Sequence, residues 1–231
     1  MVLSESIRRG SVHGPPGSKA DRHFRFRQFE FDFAYSLIRK NASSAFVRFF
    51  GQAAGARATG LSRLRIPRRY WEVEASDAAK SPNVIVVLRD PMDRLMSLYV
   101  NKFIELPSQG KHPGDIAVDA ERILGVTFDN IDFKQIILDY ATNPEATDEH
   151  LRPQSEHLVS FNYNCVVTID SVHPLMRSIL GDRLAERFFQ RKVNSSSWRD
   201  VDLGGSPAVV SAVESKYASD FALLESIEWS E

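Results

Sequence analysis

The sequence predicts an α/β fold: a three-layer α/β/α domain around a mostly parallel central sheet. Two continuous apolar runs, residues 84–88 and 165–169, are rich in β-branched residues and have the length of strands buried on both faces. Strand-like runs alternate with helical patterns, the order that builds a sheet between helical layers. The 231 residues, 43% of them hydrophobic, suffice for one core of ordinary size.

Residues 1–23 carry Gly10, Gly14, Pro15, Pro16, Gly17 and Ser18 without apolar periodicity and predict a flexible tail, leaving 24–231 as a single domain. Phe24, Phe26, Phe29, Phe31 and Phe33 interleave with Arg25, Arg27, Glu30 and Asp32, the period-two pattern of one or two half-buried strands whose aromatics are core. Residues 33–39 continue as a short strand. The polar loop Lys40-Asn41-Ala42-Ser43-Ser44 follows, and Phe46, Val47, Phe49 and Phe50 mark a helix. Residues 51–69 predict an irregular connection ending at Pro67, its arginines 57, 63, 65, 68 and 69 solvated rather than functional.

After the 84–88 strand, Asp90 suits a helix N-cap, Pro91 the first helical position and Asp93 the first turn. Met92, Leu95, Met96, Tyr99 and Phe103 then follow helical spacing, with Arg94, Ser97 and Asn101 on another side. Residues 107–119 predict loop, 133–140 helix, 143–154 loop and 173–180 helix. A final amphipathic helix over 208–224 buries Val209, Val213, Tyr217, Phe221 and Leu224.

Composition narrows the function. A single cysteine, Cys165, excludes an intramolecular disulfide framework and a multi-thiolate zinc site. No apolar run reaches the roughly 18–20 residues of a membrane span, and no signal-peptide block opens the chain, so the expected location is cytoplasmic. Residues 1–72 carry a net charge of +9 and the remainder −10; such a basic third suits nucleic acid, an anionic membrane or a phosphorylated small molecule, and charge alone does not choose between them.

In open α/β sheets ligands bind beyond the carboxyl ends of the strands, and two such ends here carry cations. The Lys40–Ser44 loop offers an ammonium, small residues and hydroxyls at a helix N-terminus. Arg89 ends the next strand with Ser97 about two helical turns on, a pair able to grip a phosphate. No Walker A pattern occurs.

Together, Lys40-x-x-Ser43-Ser44 and Arg89-Asp90-Pro91-x-x-Arg94-x-x-Ser97-x-Tyr99 resemble the sulfotransferases that use 3′-phosphoadenosine 5′-phosphosulfate (PAPS), specifically the carbohydrate sulfotransferase (family 2) branch. Asp148-Glu149-His150-Leu151-Arg152-Pro153-Gln154 and the stretch Tyr217-Ala218-Ser219-Asp220-Phe221 are similar to two further motifs of that branch, so the likeness spans about residues 35–225. The resemblance implies a P-loop-like sulfotransferase fold. Lys40, Asn41, Ala42, Ser43 and Ser44 would then hold the 5′-phosphosulfate, and Arg89 and Ser97 the 3′-phosphate. The released product would be 3′-phosphoadenosine 5′-phosphate (PAP), and the acceptor a hydroxyl, in this branch that of a saccharide. No metal is required by such chemistry. The loop departs from the family where Arg39 replaces proline and Ala42 replaces glycine, which predicts an altered loop shape.

Lys40 is the expected stabiliser of the leaving group and His150, flanked by two acids, the expected base, with Glu72 and Glu74 as rivals and His157 and His173 behind them. Arg152 and Gln154, like Glu72 and Glu74, are candidate acceptor contacts. Two other readings stay open. A small-molecule kinase predicts use of ATP and magnesium, and a non-catalytic polyanion-binding module predicts steep salt dependence without a nucleic-acid docking motif.

Overall fold

The computed structural model describes residues 9–15, 22–55, 65–190 and 206–230, which leaves Arg57 and Arg63 outside the described residues. The chain divides into two compact units. One holds residues 1–89, 154–194 and 223–231, the other residues 90–153 and 195–222.

The first unit contains the sheet. Its strands are β1 (Arg9–His13), β2 (His23–Gln28), β3 (Phe31–Ser36), β4 (Glu72–Val73), β5 (Val84–Leu88), β6 (Asn162–Thr168) and β7 (Glu228–Ser230), in the order β4-β2-β3-β5-β6-β1-β7. Only the central pairings β3–β5 and β5–β6 are parallel. The β2–β3, β2–β4, β1–β6 and β1–β7 pairings are antiparallel. The sheet is therefore mixed, not mostly parallel as expected. The physical reason lies in the β2–β3 connection: two residues, Phe29 and Glu30, can close only a hairpin, since a parallel crossover needs a dozen or more.

The two continuous apolar runs do form central strands, and their alternate side chains feed two cores. Phe33, Tyr35, Ile85, Val87, Cys165 and Val167 pack on one face with Phe46, Phe49 and Phe50 of the helix Ser43–Ala53 and Leu175 and Met176 of the helix Val172–Leu180. Ala34, Val84, Val86, Leu88 and Val166 pack on the other with Ala78, Leu158, Leu223 and Ile227. Both faces are dry, as continuous runs require.

Three expectations fail here. Arg9–His13, assigned to the tail, is a strand. Gly14 answers to packing, since a Cβ there would lie 2.0 Å from the Val159 carbonyl oxygen. Phe29 is not core: it sits in the hairpin turn at φ 54° and is 90% exposed. Residues 65–69, read as part of the irregular connection 51–69, belong to the helix Arg65–Trp71, where Pro67 occupies the first turn and its missing N–H costs nothing.

The second unit is helical. Pro91–Tyr99 runs on through a π-helical stretch, Val100–Glu105. Asp115–Leu124, partly read as loop, is a helix closed by Gly125 in the left-handed conformation. The predicted 208–224 helix is broken at Tyr217 into Pro207–Lys216 and Ala218–Glu225. Leu95, Phe103, Ile116, Ile136, Tyr140, Val213 and Tyr217 share this unit's core. Among the described residues no helix is long and apolar enough to cross a membrane.

Candidate active site

The lysine loop is set by the residues on either side of it. Tyr35 stacks on Phe46, centroids 3.7 Å apart and planes at 5°, which pins the strand end to the first turn of the next helix. The Tyr35 hydroxyl donates to the Asn41 carbonyl at 3.2 Å. Lys40 and Ala42 both take the left-handed conformation, φ 69° and 57°, curling the backbone into the concavity that receives anions. The helix that follows has no side-chain cap and no acidic residue in its first turn. Its first amides, at Ser43 and Ser44, lack intrahelical acceptors and carry the positive end of the dipole.

Ala42 holds a left-handed conformation that glycine adopts without penalty, and a left-handed non-glycine residue costs roughly 1–2 kcal/mol, so the turn is strained. Ala42→Gly should raise stability by about 0.5–1 kcal/mol after glycine's greater unfolded-state freedom is offset. Urea unfolding checks this, and a loss of stability would show that the turn carries no strain.

The second strand end is joined to the first by one buried amide. Gln154 is 0% exposed. Its Oε1 accepts from the Arg89 backbone N–H at 3.0 Å and from Asn41 Nδ2 at 2.5 Å, while its Nε2 donates to the Arg89 carbonyl at 2.7 Å. Asn41 Nδ2 also donates to the Val87 carbonyl at 2.8 Å. Gln154, expected to touch an acceptor, instead ties the lysine loop to the end of β5. Unlike the first helix, the helix after Arg89 is capped: Asp90 Oδ1 accepts from the Asp93 N–H at 3.1 Å and Pro91 opens the first turn, as expected. Arg89 stands half-buried at this strand end.

In the helical unit, Ser97 is buried on Pro91–Tyr99, and so is Arg94, which the spacing placed on another side from the core. Arg94 is 1% exposed and donates to the Arg152 carbonyl at 2.8 Å. Burial pulls its guanidinium below the ordinary range, against the opposing influence of Tyr217 and of Asp220, itself 0% exposed. The Tyr217 hydroxyl donates to the Leu151 carbonyl at 2.7 Å. Two consecutive carbonyls after His150 are thus held from beneath.

His150 Nδ1 lies 2.6 Å from Asp148 Oδ1, which also accepts the His150 backbone N–H at 2.8 Å. Burial pushes the Asp148 carboxyl up, but the His150 bonds and charge, with Lys102, more than offset it and hold the carboxyl below its usual range. An ionised partner on Nδ1 orients the imidazole, and the two form an acid–histidine couple suited to taking a proton.

Glu72 and Glu74 lie at the sheet edge of the first unit, lining a cavity with Arg22, His23 and Arg68. Glu72 Oε2 accepts from Arg68 at 3.0 Å. Burial lowers His23 to about 4 against the pull of Glu72, so it is neutral there. His157 is buried, and His173 Nε2 is 3.4 Å from Glu186. Arg94, Tyr217 and Asp220 were not singled out as site residues. The signal was present for one of them: Asp90, Arg94, Ser97 and Asn101 recur at four-, three- and four-residue steps, a polar stripe on a helix whose flanks are apolar. Among the described residues no group of three or more metal-ligating side chains occurs.

A cationic loop at an uncapped helix N-terminus, beside a second strand end bearing arginine, has the charge and the backbone donors that suit an anion. The chain belongs to the sulfotransferase family, whose sequence pattern matches residues 23–225. No curated protein and no solved structure matches it significantly. Membership supports sulfuryl transfer and implies a PAPS donor and a hydroxyl-bearing acceptor.

Proposed function

We propose that the protein transfers the sulfuryl group of PAPS to a saccharide hydroxyl. The observation that carries this reading is the loop at Lys40–Ser44, left-handed at two non-glycine positions, opening an uncapped helix and tied through Gln154 to Arg89. Lys40 and the amides of Ser43 and Ser44 take the 5′-phosphosulfate, and Arg89 and Ser97 the 3′-phosphate. His150 Nε2 removes the acceptor hydroxyl proton as the acceptor oxygen bonds to sulfur. The bond from sulfur to the bridging oxygen breaks, and Lys40 stabilises the charge on the departing phosphate of PAP. Such a loose, in-line transfer asks of the protein positioning and charge stabilisation more than covalent chemistry. The saccharide acceptor rests on the motif resemblance alone, with Arg152 as the remaining candidate contact.

The test is calorimetric titration of PAP, ADP and ATP against wild type, Lys40→Ala and Arg89→Ala. PAP is expected to bind at least tenfold tighter than ADP, and Arg89→Ala to abolish that margin, a charge-assisted phosphate contact being worth roughly 1.5–3 kcal/mol. Tighter magnesium-dependent binding of ATP would replace the proposal with a kinase. Absence of binding by all three would replace it with a polyanion-binding module.

A further inference from the structure

Gln154 makes the same paired contact with Arg89 that a neighbouring strand would make, one acceptor and one donor on the same residue's backbone, and it does so from a side chain. The Asn41 side chain completes the link, donating both to Gln154 and to the Val87 carbonyl. Asn41 and Gln154 are each 0% exposed. Neither amide therefore reaches a ligand in solvent, and both fix backbone: the lysine loop on one side, the root of Arg89 on the other. Side-chain amides in a dry interior resist displacement because each broken bond leaves a buried polar atom unsatisfied.

We infer that Gln154 is a positioning residue that sets the separation of the two anion-binding strand ends, and through it the preference for an adenosine nucleotide phosphorylated at both the 3′ and the 5′ position. The inference rests on the donor reading proposed above. A ligand with one phosphate needs only one of the two strand ends, so its binding is insensitive to their spacing. A ligand with two phosphates on a rigid nucleoside needs both at once.

The experiment compares PAP with adenosine 5′-phosphate, which lacks the 3′-phosphate, by calorimetric titration of wild type, Gln154→Ala and Gln154→Glu, alongside thermal unfolding. In Gln154→Ala the affinity for PAP is expected to fall about 10–100-fold and that for adenosine 5′-phosphate by less than about threefold. Gln154→Glu keeps the acceptor for the Arg89 N–H and for Asn41 and loses the donor to the Arg89 carbonyl, so its discrimination should lie between the two; it also serves if the alanine variant does not fold. Equal losses for both ligands would mark Gln154 as a general structural residue and overturn the inference while leaving the donor reading intact. A wild type that does not distinguish the two ligands would overturn the donor reading, and the inference with it.

Discussion

Arg94→Ala should destabilise the helical unit by about 3–5 kcal/mol, the range for breaking a buried charge pair by removing one partner. The guanidinium is 1% exposed and shares its surroundings with Asp220, which is 0% exposed. Truncation removes the positive charge that Asp220 feels, deprives the Arg152 carbonyl of that donor and adds a cavity cost. Arg94→Met separates these terms: it fills much of the volume and still removes the charge and the donor, so most of the loss should persist. The double variant Arg94→Met/Asp220→Leu should recover a large part of it, because replacing a whole buried pair by apolar groups is often neutral. Urea unfolding followed by circular dichroism measures all three. A loss below about 1 kcal/mol in Arg94→Ala would show that the charge is solvated and that the loop after His150 is held by other means. Tyr217→Phe, which removes only the bond to the Leu151 carbonyl, should cost about 1 kcal/mol.

The same pair explains what the sequence made legible and what it did not. Val84–Leu88 could be read directly, because a strand buried on both faces has no solvent side to interrupt it. Strand direction could not be read from that pattern, since burial is the same for parallel and antiparallel neighbours; only the two-residue spacing at Phe29 and Glu30 carried it. The strand at Arg9–His13 was hidden because a short element with Gly10 has almost no apolar signal of its own and draws its order from pairing with β6 on one side and β7 on the other. At the site, the charged residues at strand ends were visible, as local chemistry. The parts that Gln154 and Arg94 play were not, since they depend on carbonyls of Arg89 and Arg152, 65 and 58 residues away along the chain. A backbone acceptor leaves no mark in sequence, so a residue that serves one reads as a candidate ligand contact or as surface.

His150→Ala should lower kcat for sulfuryl transfer by about 10²–10⁴, the usual range for a lost general base, while PAP affinity stays within about twofold. In the proposed function, binding of the donor product draws on the lysine loop and Arg89, and His150 enters only when a proton leaves the acceptor. Asp148 gives a second, more specific test. Its carboxyl is held below the usual range, so it stays ionised throughout the neutral region and contributes no limb to the pH profile there. The acid limb of kcat then belongs to the imidazole, which loses its lone pair on protonation. Asp148→Asn removes the charge that favours the imidazolium and should move that limb to lower pH, with a rate loss of roughly 10–100-fold at the optimum. The same carboxylate also links pH to stability. A depressed folded-state value means its pairing with His150 stabilises the protein above the ordinary carboxylate range and is lost as pH falls through that depressed value, a dependence that Asp148→Asn should erase. A steady-state pH series on the two variants decides the matter. An unchanged acid limb in Asp148→Asn, with full activity in His150→Ala, would transfer the base to Glu72 or Glu74 at the edge of the sheet, where Glu72→Gln and Glu74→Gln become the variants whose kcat should fall.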